Sequence, residues 1–265
     1  MFTVISYNIM SAIQKEEVRR SLLRIKEIAY DRDHTFFIGL QEARNTESNS
    51  DIQGFVRTIF KNSSTDFLVC DGISYHDLGV ALISRDKPSK VLKLELPKLS
   101  GQIWKTLFRL KSGVPQYGAI ISQHNVGGKM ITVVILHLDV FGGVKQKSAQ
   151  VEVIKHALKQ FDAEYCVIMG DFNTGNAKTI RKLFGKEFTL WGKEEESTVS
   201  IKKAINPEIP GSKIIQKVAS FTGMDISFRS DWILTKNLRP VFERVEYSCQ
   251  GSDHFPVWAV LDFKS

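Results

Sequence analysis

The sequence predicts an α+β fold of mixed β-sheets covered by helices. Strand-like and helix-like stretches are interleaved, yet strand follows strand directly too often for a simple doubly wound sheet. No internal repeat stands out. The 265 residues suit one large domain or two small ones, and 43% hydrophobic with 25% charged residues leaves ample core material.

Taken in order, Phe2 to Tyr7 alternates like a strand and ends in Asn8. An amide can ligate a hard cation through its oxygen or position a neighbouring carboxylate; taken alone, a strand-end turn explains Asn8 better. From Lys15 to Asp31, Val18, Leu22, Ile25, Ile28 and Ala29 recur at helical spacing, giving an amphipathic surface helix. Thr35 to Gln41 reads as a buried strand that stops at Glu42. A carboxylate directly after a buried run is costly unless it meets a cation or donors. Arg44 offers a local ion pair; the sharper reading is a metal ligand with a phosphate-binding arginine beside it.

Ser50 to Phe60 reads as a second helix, with Ser50 or Asp51 as its cap. Strands are expected at Phe67–Cys70, Leu78–Ser84, Val91–Leu96, Trp104–Leu110 and Tyr117–Ser122, with His76 in an exposed Tyr75-His76-Asp77 loop. Met130 to Leu136 is the most apolar strand and ends in His137-Leu138-Asp139. Ser148 to Phe161 reads as a third helix and Ala177–Phe184 as a fourth.

Between those helices lies Cys166-Val167-Ile168-Met169-Gly170-Asp171-Phe172-Asn173, a short branched apolar run that reads as a buried strand. Side chains alternate on an extended chain, so Asp171 and Asn173 are expected on one side and Phe172 on the other. Gly, Asp and Asn are also turn residues, and this segment alone does not choose between a site and a turn. Gly185 to Gly223 has little periodicity and reads as a variable segment shaping substrate access, or equally as a disordered excursion. Asp231 stands at the start of a strand-like run, and Asp253-His254 precedes a last strand, Val257–Phe263. A tight turn would aim both Asp253 and His254 at one pocket.

Lys plus Arg is 36 against 29 for Asp plus Glu, giving net charge +7 and a pI near 9.2. That favours polyanionic partners such as nucleic acid or anionic lipid, although no long basic block carries it and a solvated surface fits as well. The three cysteines, Cys70, Cys166 and Cys249, are far apart and show no C-x-x-C spacing, which argues against a structural zinc site or a disulfide scaffold. A reduced, intracellular compartment is expected, with no signal peptide and no apolar run approaching the ~20 residues of a membrane span.

Six strand-like runs therefore carry polar groups at an end: Asn8, Glu42, His137, Asp171 with Asn173, Asp231, and Asp253 with His254. Independent turns account for any one of them, but all six together are harder to dismiss. Four carboxylates crowded at one rim would repel unless a cation sat among them, and hard oxygen ligands without cysteine point to Mg²⁺ or Mn²⁺.

The ordered set Ser6-Tyr7-Asn8, Gln41-Glu42, His137-Leu138-Asp139, Gly170-Asp171-Phe172-Asn173, Ser230-Asp231-Trp232 and Gly251-Ser252-Asp253-His254-Phe255-Pro256-Val257 resembles the endonuclease/exonuclease/phosphatase superfamily, with its deoxyribonuclease I-like fold. The match runs from Asn8 to His254 in the family's order. The resemblance implies a four-layer α/β/β/α sandwich, two mixed β-sheets face to face with helices outside, and one catalytic domain over 1–265.

It also implies roles. Glu42 would be the principal metal ligand, completed by Asn8 and Asp253 directly or through water. Asp171 would orient or deprotonate the attacking water, and Asn173 would hold the phosphate. His254, paired with Asp231, would contact the scissile phosphate, with His137 as a second phosphate-facing histidine and Asp77 behind it. Arg44 resembles a DNA-contacting arginine of the same branch.

His137-Leu138 resembles deoxyribonuclease I, sphingomyelinases and inositol phosphatases rather than abasic-site endonucleases. Ser230-Asp231-Trp232 departs from the Cys-Asp-Arg usual in inositol 5-phosphatases. The expected function is a Mg²⁺-dependent phosphodiester hydrolase acting on nucleic acid, with a monomer favoured. The alternative is a phosphoesterase of a phospholipid, inositol phosphate or other small phosphorylated substrate. A non-catalytic binding module is the reading from another class, and the complete set of expected ligand types speaks against it.

Overall fold

The computed structural model describes residues 1–12, 14–31, 34–43, 51–69, 79–98, 117–140, 143–200 and 227–264. Arg44, Cys70, the Tyr75-His76-Asp77 loop, the expected strand Trp104–Leu110 and most of the irregular segment after Ser200 lie outside the described residues.

The strands form two six-stranded mixed sheets. In the first, β1 (Phe2–Asn8) and β2 (Thr35–Gln41) run parallel at the centre. They are flanked on one side by β14 (Val257–Phe263) and β13 (Leu238–Val245), and on the other by β4 (Val80–Ser84) and β3 (Ser64–Leu68). In the second, β7 (Lys129–His137) and β8 (Tyr165–Asp171) form the central parallel pair. Around them lie β6 (Gly118–Val126) and β5 (Lys90–Glu95) on one side, and β12 (Asp231–Lys236) and β9 (Thr189–Trp191) on the other. A separate two-stranded piece pairs β10 (Val199–Ser200) with β11 (Ser227–Phe228).

Each central parallel pair needs a crossover, and a helix supplies it. α1 (Lys15–Tyr30) joins β1 to β2, and α3 (Val144–Leu158) joins β7 to β8. α2 (Ile52–Ile59) and α4 (Ala177–Phe184) complete the helices among the described residues. None of these is long and apolar enough to cross a membrane.

Strand alternation sorts the side chains into three cores. Phe2 and Val4 of β1, Phe37 of β2, Ile131, Val133 and Ile135 of β7, and Val167 and Met169 of β8 meet between the two sheets. The opposite faces of β1 and β2 (Ile5, Tyr7, Ile38, Leu40) pack on Val18, Leu22 and Ile25 of α1 and Val56 of α2. Val134, Leu136 and Ile168 pack on Val151 and Ile154 of α3 and Ile180 of α4. The result is the expected four-layer α/β/β/α sandwich. Strands buried on both faces read as continuous apolar runs rather than alternating ones.

The expected boundaries shift in places. The third helix begins at Val144 rather than Ser148 and ends at Leu158. The strand expected at Phe67–Cys70 is β3, Ser64–Leu68. Strand β13 has no counterpart among the expected strands: Pro240 cannot donate to a ladder, and β13 accommodates it as an edge strand with a register shift between Pro240 and Phe242.

Candidate active site

Parallel pairing brings the C-terminal ends of β1 and β2 together, and likewise those of β7 and β8. Asn8 stands beside Gln41 with Glu42 directly after it, while His137 stands beside Asp171. Antiparallel pairing then sets Asp231, the first residue of β12, opposite Asp171. His137, Asp171 and Asp231 thus form one row across three adjacent strands. Because the sheets pack face to face, that row meets Asn8 and Glu42.

One oxygen is the focus. Asp171 Oδ2 accepts from Asn8 Nδ2 at 3.2 Å and lies 3.5 Å from His137 Nε2 and 3.8 Å from His254 Nε2. Its partner Oδ1 accepts the Asn173 backbone N–H at 2.8 Å. Asn8 Nδ2 also donates to Glu42 Oε1 at 3.2 Å, and Asn8 Oδ1 accepts from Met10 N at 3.0 Å. The Asn8 amide therefore presents its NH₂ to two carboxylates.

His254 reaches the same point from the strand end before β14. Its Nδ1 lies 2.9 Å from Asp231 Oδ2, and its Nε2 lies 4.0 Å from Asp253 Oδ1. The Ser252 hydroxyl fixes the turn by donating to Asn8 O at 2.7 Å and accepting from His254 N at 3.1 Å. Burial pushes the His254 imidazole toward its neutral form, but the charges of Asp231, Asp171 and Asp253 outweigh it, so its pKa is raised well above the usual histidine value. The Asp253 carboxyl is also raised: burial dominates, His254 opposes, and Glu42 and Asp171 add to it.

The backbone is held in unusual conformations here. Met10, Ala12, Glu42 and Asn173 all have positive φ, at 46°, 49°, 54° and 49°. Non-glycine residues in that region cost of order 1–3 kcal/mol each and collect at functional sites. Gly170 is the residue the close strand packing demands. At φ 153°, a Cβ there would lie 2.0 Å from Leu136 O.

One sequence expectation needs correction. Asn173 does not simply project beside Asp171 from an extended chain. Strand β8 ends at Asp171, the chain turns, and Asn173 Nδ2 donates to Leu138 O at 2.8 Å. The alternation rule fails because it holds only inside the strand.

Among the described residues, the candidate side chains of Asn8, Glu42, His137, Asp171, Asp231, Asp253 and His254 are thus connected in one cluster, which Asn173 joins through its backbone N–H. Several supporting residues carried no signal of their own. Thr198 Oγ1 accepts from the backbone N–H groups of Ser230 and Asp231 at 2.9 and 3.1 Å. The Ser230 hydroxyl donates to Asp231 Oδ2 at 3.0 Å, and the Tyr117 ring sits edge-on to His137 at 5.2 Å. Single hydroxyls and rings in apolar strands look like ordinary core residues until the fold places them.

The donor set suits a metal ion. Asp171, Asp231 and His254 offer ligand atoms within 4.8 Å of one another, close enough to hold one. Among the described residues, no lysine or arginine forms an ion pair with Glu42, Asp171, Asp231 or Asp253; only the two histidines do. Within that cluster the His254–Asp231 contact is a hydrogen bond, with both imidazole nitrogens facing carboxylates. Asp253 lies 4.0 Å from His254 Nε2, and Glu42 has neither imidazole within ion-pair distance; hard cations prefer such oxygens.

No family model matches the sequence, and no characterised protein matches it significantly by sequence. Solved structures do match by shape. D. rerio TDP2 complexed with single-strand DNA product is 15% identical, with 98% of each chain covered and a TM-score of 0.63. A mannosyl-6-phosphatase from Bacteroides thetaiotaomicron is 14% identical, with 99% of this chain and 100% of that one covered and a TM-score of 0.64. The human Nocturnin catalytic domain with bound sulfate is 14% identical, covering 99% and 93%, with a TM-score of 0.65.

Proposed function

We propose a function from one premise: the chain has the fold of the endonuclease/exonuclease/phosphatase superfamily, the deoxyribonuclease I-like sandwich. On that premise it is a divalent-metal-dependent phosphodiester hydrolase whose substrate is nucleic acid, and residues 1–265 act as one catalytic domain inside the cell, as a monomer. The observation that carries this is the convergence of Asn8, His137 and His254 on Asp171 Oδ2.

Glu42 and Asp253 would hold the cation, Mg²⁺ or Mn²⁺, with Asn8 completing the site beside Glu42 and donating to Glu42 and Asp171. When bound, such an ion neutralises charge on the non-bridging phosphate oxygens and acidifies water. The remaining work falls to the chain. Asp171 accepts the proton of the attacking water, and the Asn173 N–H on Oδ1 keeps that carboxylate oriented. His254 donates its Nδ1–H to Asp231, which aims Nε2–H at a phosphate oxygen and stabilises the charged imidazole. His137 faces the phosphate from the neighbouring strand, and Asn173 holds it. Arg44, two residues past Glu42 in sequence, would meet a flanking phosphate.

Net charge +7 supports nucleic acid as the substrate. A small phosphorylated substrate is the second reading, supported by the equal likeness in shape to a mannosyl-6-phosphatase. Supercoiled plasmid, RNA, sugar phosphates, inositol phosphates and phospholipid, each with Mg²⁺, Mn²⁺ or EDTA, separate the two. Metal-dependent nucleic-acid cleavage that His254→Ala abolishes is the expected result. Phosphate release confined to the small substrates would replace the nuclease reading with the second one.

A further inference from the structure

The β10–β11 pair takes no part in the hydrolysis proposed above, yet it is tied to the strand end that carries His254. Val199 of β10 lies opposite Phe228 of β11, and on its other side lies opposite His254, both in antiparallel sense. Ser200 N donates to Asp253 O at 2.9 Å, and Phe255 N donates to Thr198 O at 2.7 Å. Residues directly opposite in an antiparallel pair project to the same face. Phe228, Val199 and His254 therefore form one row on one face of a three-strand ribbon. With strands about 4.8 Å apart, Phe228 stands roughly 10 Å from His254 along that row.

Exposure changes abruptly along the row. Val199 is 5% and His254 8% exposed, whereas Phe228 is 42% exposed and belongs to none of the three apolar cores. The backbone beneath Phe228 is not loose. The next residue, Arg229, is fully buried and donates to Asp231 O, Lys193 O, Glu196 and Glu243. A large aromatic ring is thus presented to solvent from a fixed position, two strands along the row from the imidazole proposed to meet the phosphate.

We propose that Phe228 is the stacking platform for the nucleobase next to the scissile phosphate. This rests on the nucleic-acid reading above. A phosphate against His254 leaves about one nucleotide's breadth along the row, and every base offers a flat face to an aromatic ring whatever its identity. Phe228 then contributes affinity without sequence preference. A phospholipid or sugar phosphate presents no flat ring and gains nothing from it.

The test uses oligonucleotides carrying 2-aminopurine, whose fluorescence is quenched on stacking, bound in EDTA so that nothing turns over. Wild type is expected to quench the probe. Phe228→Ala is expected to lose the quench and bind about tenfold more weakly, the scale of one base–aromatic stack. In Mg²⁺, KM rises with kcat unchanged, because stacking is the same in ground and transition states. Phe228→Trp restores both. Replacing the base on one side of the scissile phosphate by an abasic spacer makes wild type and Phe228→Ala equal. Unchanged quenching and affinity in Phe228→Ala, or an undiminished effect on spacer substrates at both positions, overturns the proposal while leaving the nuclease reading intact. A wild type that binds and cuts no oligonucleotide overturns both.

Discussion

Asn8 and Asp171 stand on different sheets, and the Asn8 amide donates to Asp171 Oδ2 across 3.2 Å. The same NH₂ reaches Glu42, so one neutral side chain separates two carboxylates from opposite layers. Replacing it with a leucine of similar size leaves both acids without their shared donor. Asn8→Leu is expected to lower kcat by about 10²-fold, the usual loss when an aimed donor is removed. Asn8→Asp is expected to be worse, because it adds a carboxylate where the amide kept two apart. A fully active Asn8→Leu enzyme would show that this inter-sheet contact has no part in the chemistry.

The His254–Asp231 bond makes a second prediction. If the two act as a unit, removing either removes the same function, and the double variant costs little more than one single. Asp231→Asn preserves shape but not charge, and is expected to lower kcat by roughly 10³-fold or more, as when the orienting carboxylate of a histidine is neutralised. Single-turnover rates for Asp231→Asn, His254→Ala and the double variant measure the coupling. Losses that simply multiply would mean that Asp231 serves something other than His254.

What could be read beforehand follows from how each element is buried. Met130–Leu136, with Thr132 as its one polar residue, and Cys166–Met169 carry apolar side chains on both faces, so their runs mark central strands. α4 was legible at both ends because Asn176 caps it through Thr179 N and Gly185 stops it at φ 91°. The first turn of α3 was not legible because its pattern is inverted. Val144 is exposed, whereas Lys147 and Gln150 are buried and hold the Asp139 backbone rather than the apolar core. The strand-end positions of the site residues could be read one by one. Their pairings could not, since they depend on strand order: His254 meets Asp231 only because β12 lies beside β8 and β14 beside β1.

Glu42 and Asp253 should link metal binding to stability with opposite signs in two conditions. Without a cation, Glu42→Gln removes one charge from a crowded acidic cluster, and the protein is expected to melt higher than wild type. With Mg²⁺ or Mn²⁺ the order reverses. An ion at one hundred times its Kd stabilises the wild type by about 2.7 kcal/mol, and Glu42→Gln or Asp253→Asn forfeits most of that gain. Thermal melts in EDTA and across a cation titration read both signs without any substrate. Equal cation-induced shifts in wild type and both variants would place the metal elsewhere.

His124 supplies a stability signal far along β6 from the site, since Gly118 rather than His124 pairs with His137. Its ring is buried edge-on to Phe37, with Nε2 2.9 Å from Ser122 Oγ. Burial lowers its pKa to about 4. The unfolded chain, with an ordinary histidine, binds a proton near pH 6.5 that the folded chain refuses, so stability rises with pH between those values. The contribution is whole above about pH 6.5 and is lost as pH falls toward 4, by roughly 3 kcal/mol in all. Urea unfolding at pH 7.5 and 5.0 is expected to show a smaller drop in His124→Gln than in wild type, because glutamine cannot take up the proton. An identical drop in both proteins would mean that the acid sensitivity lies in the carboxylates of the rim rather than in this buried ring.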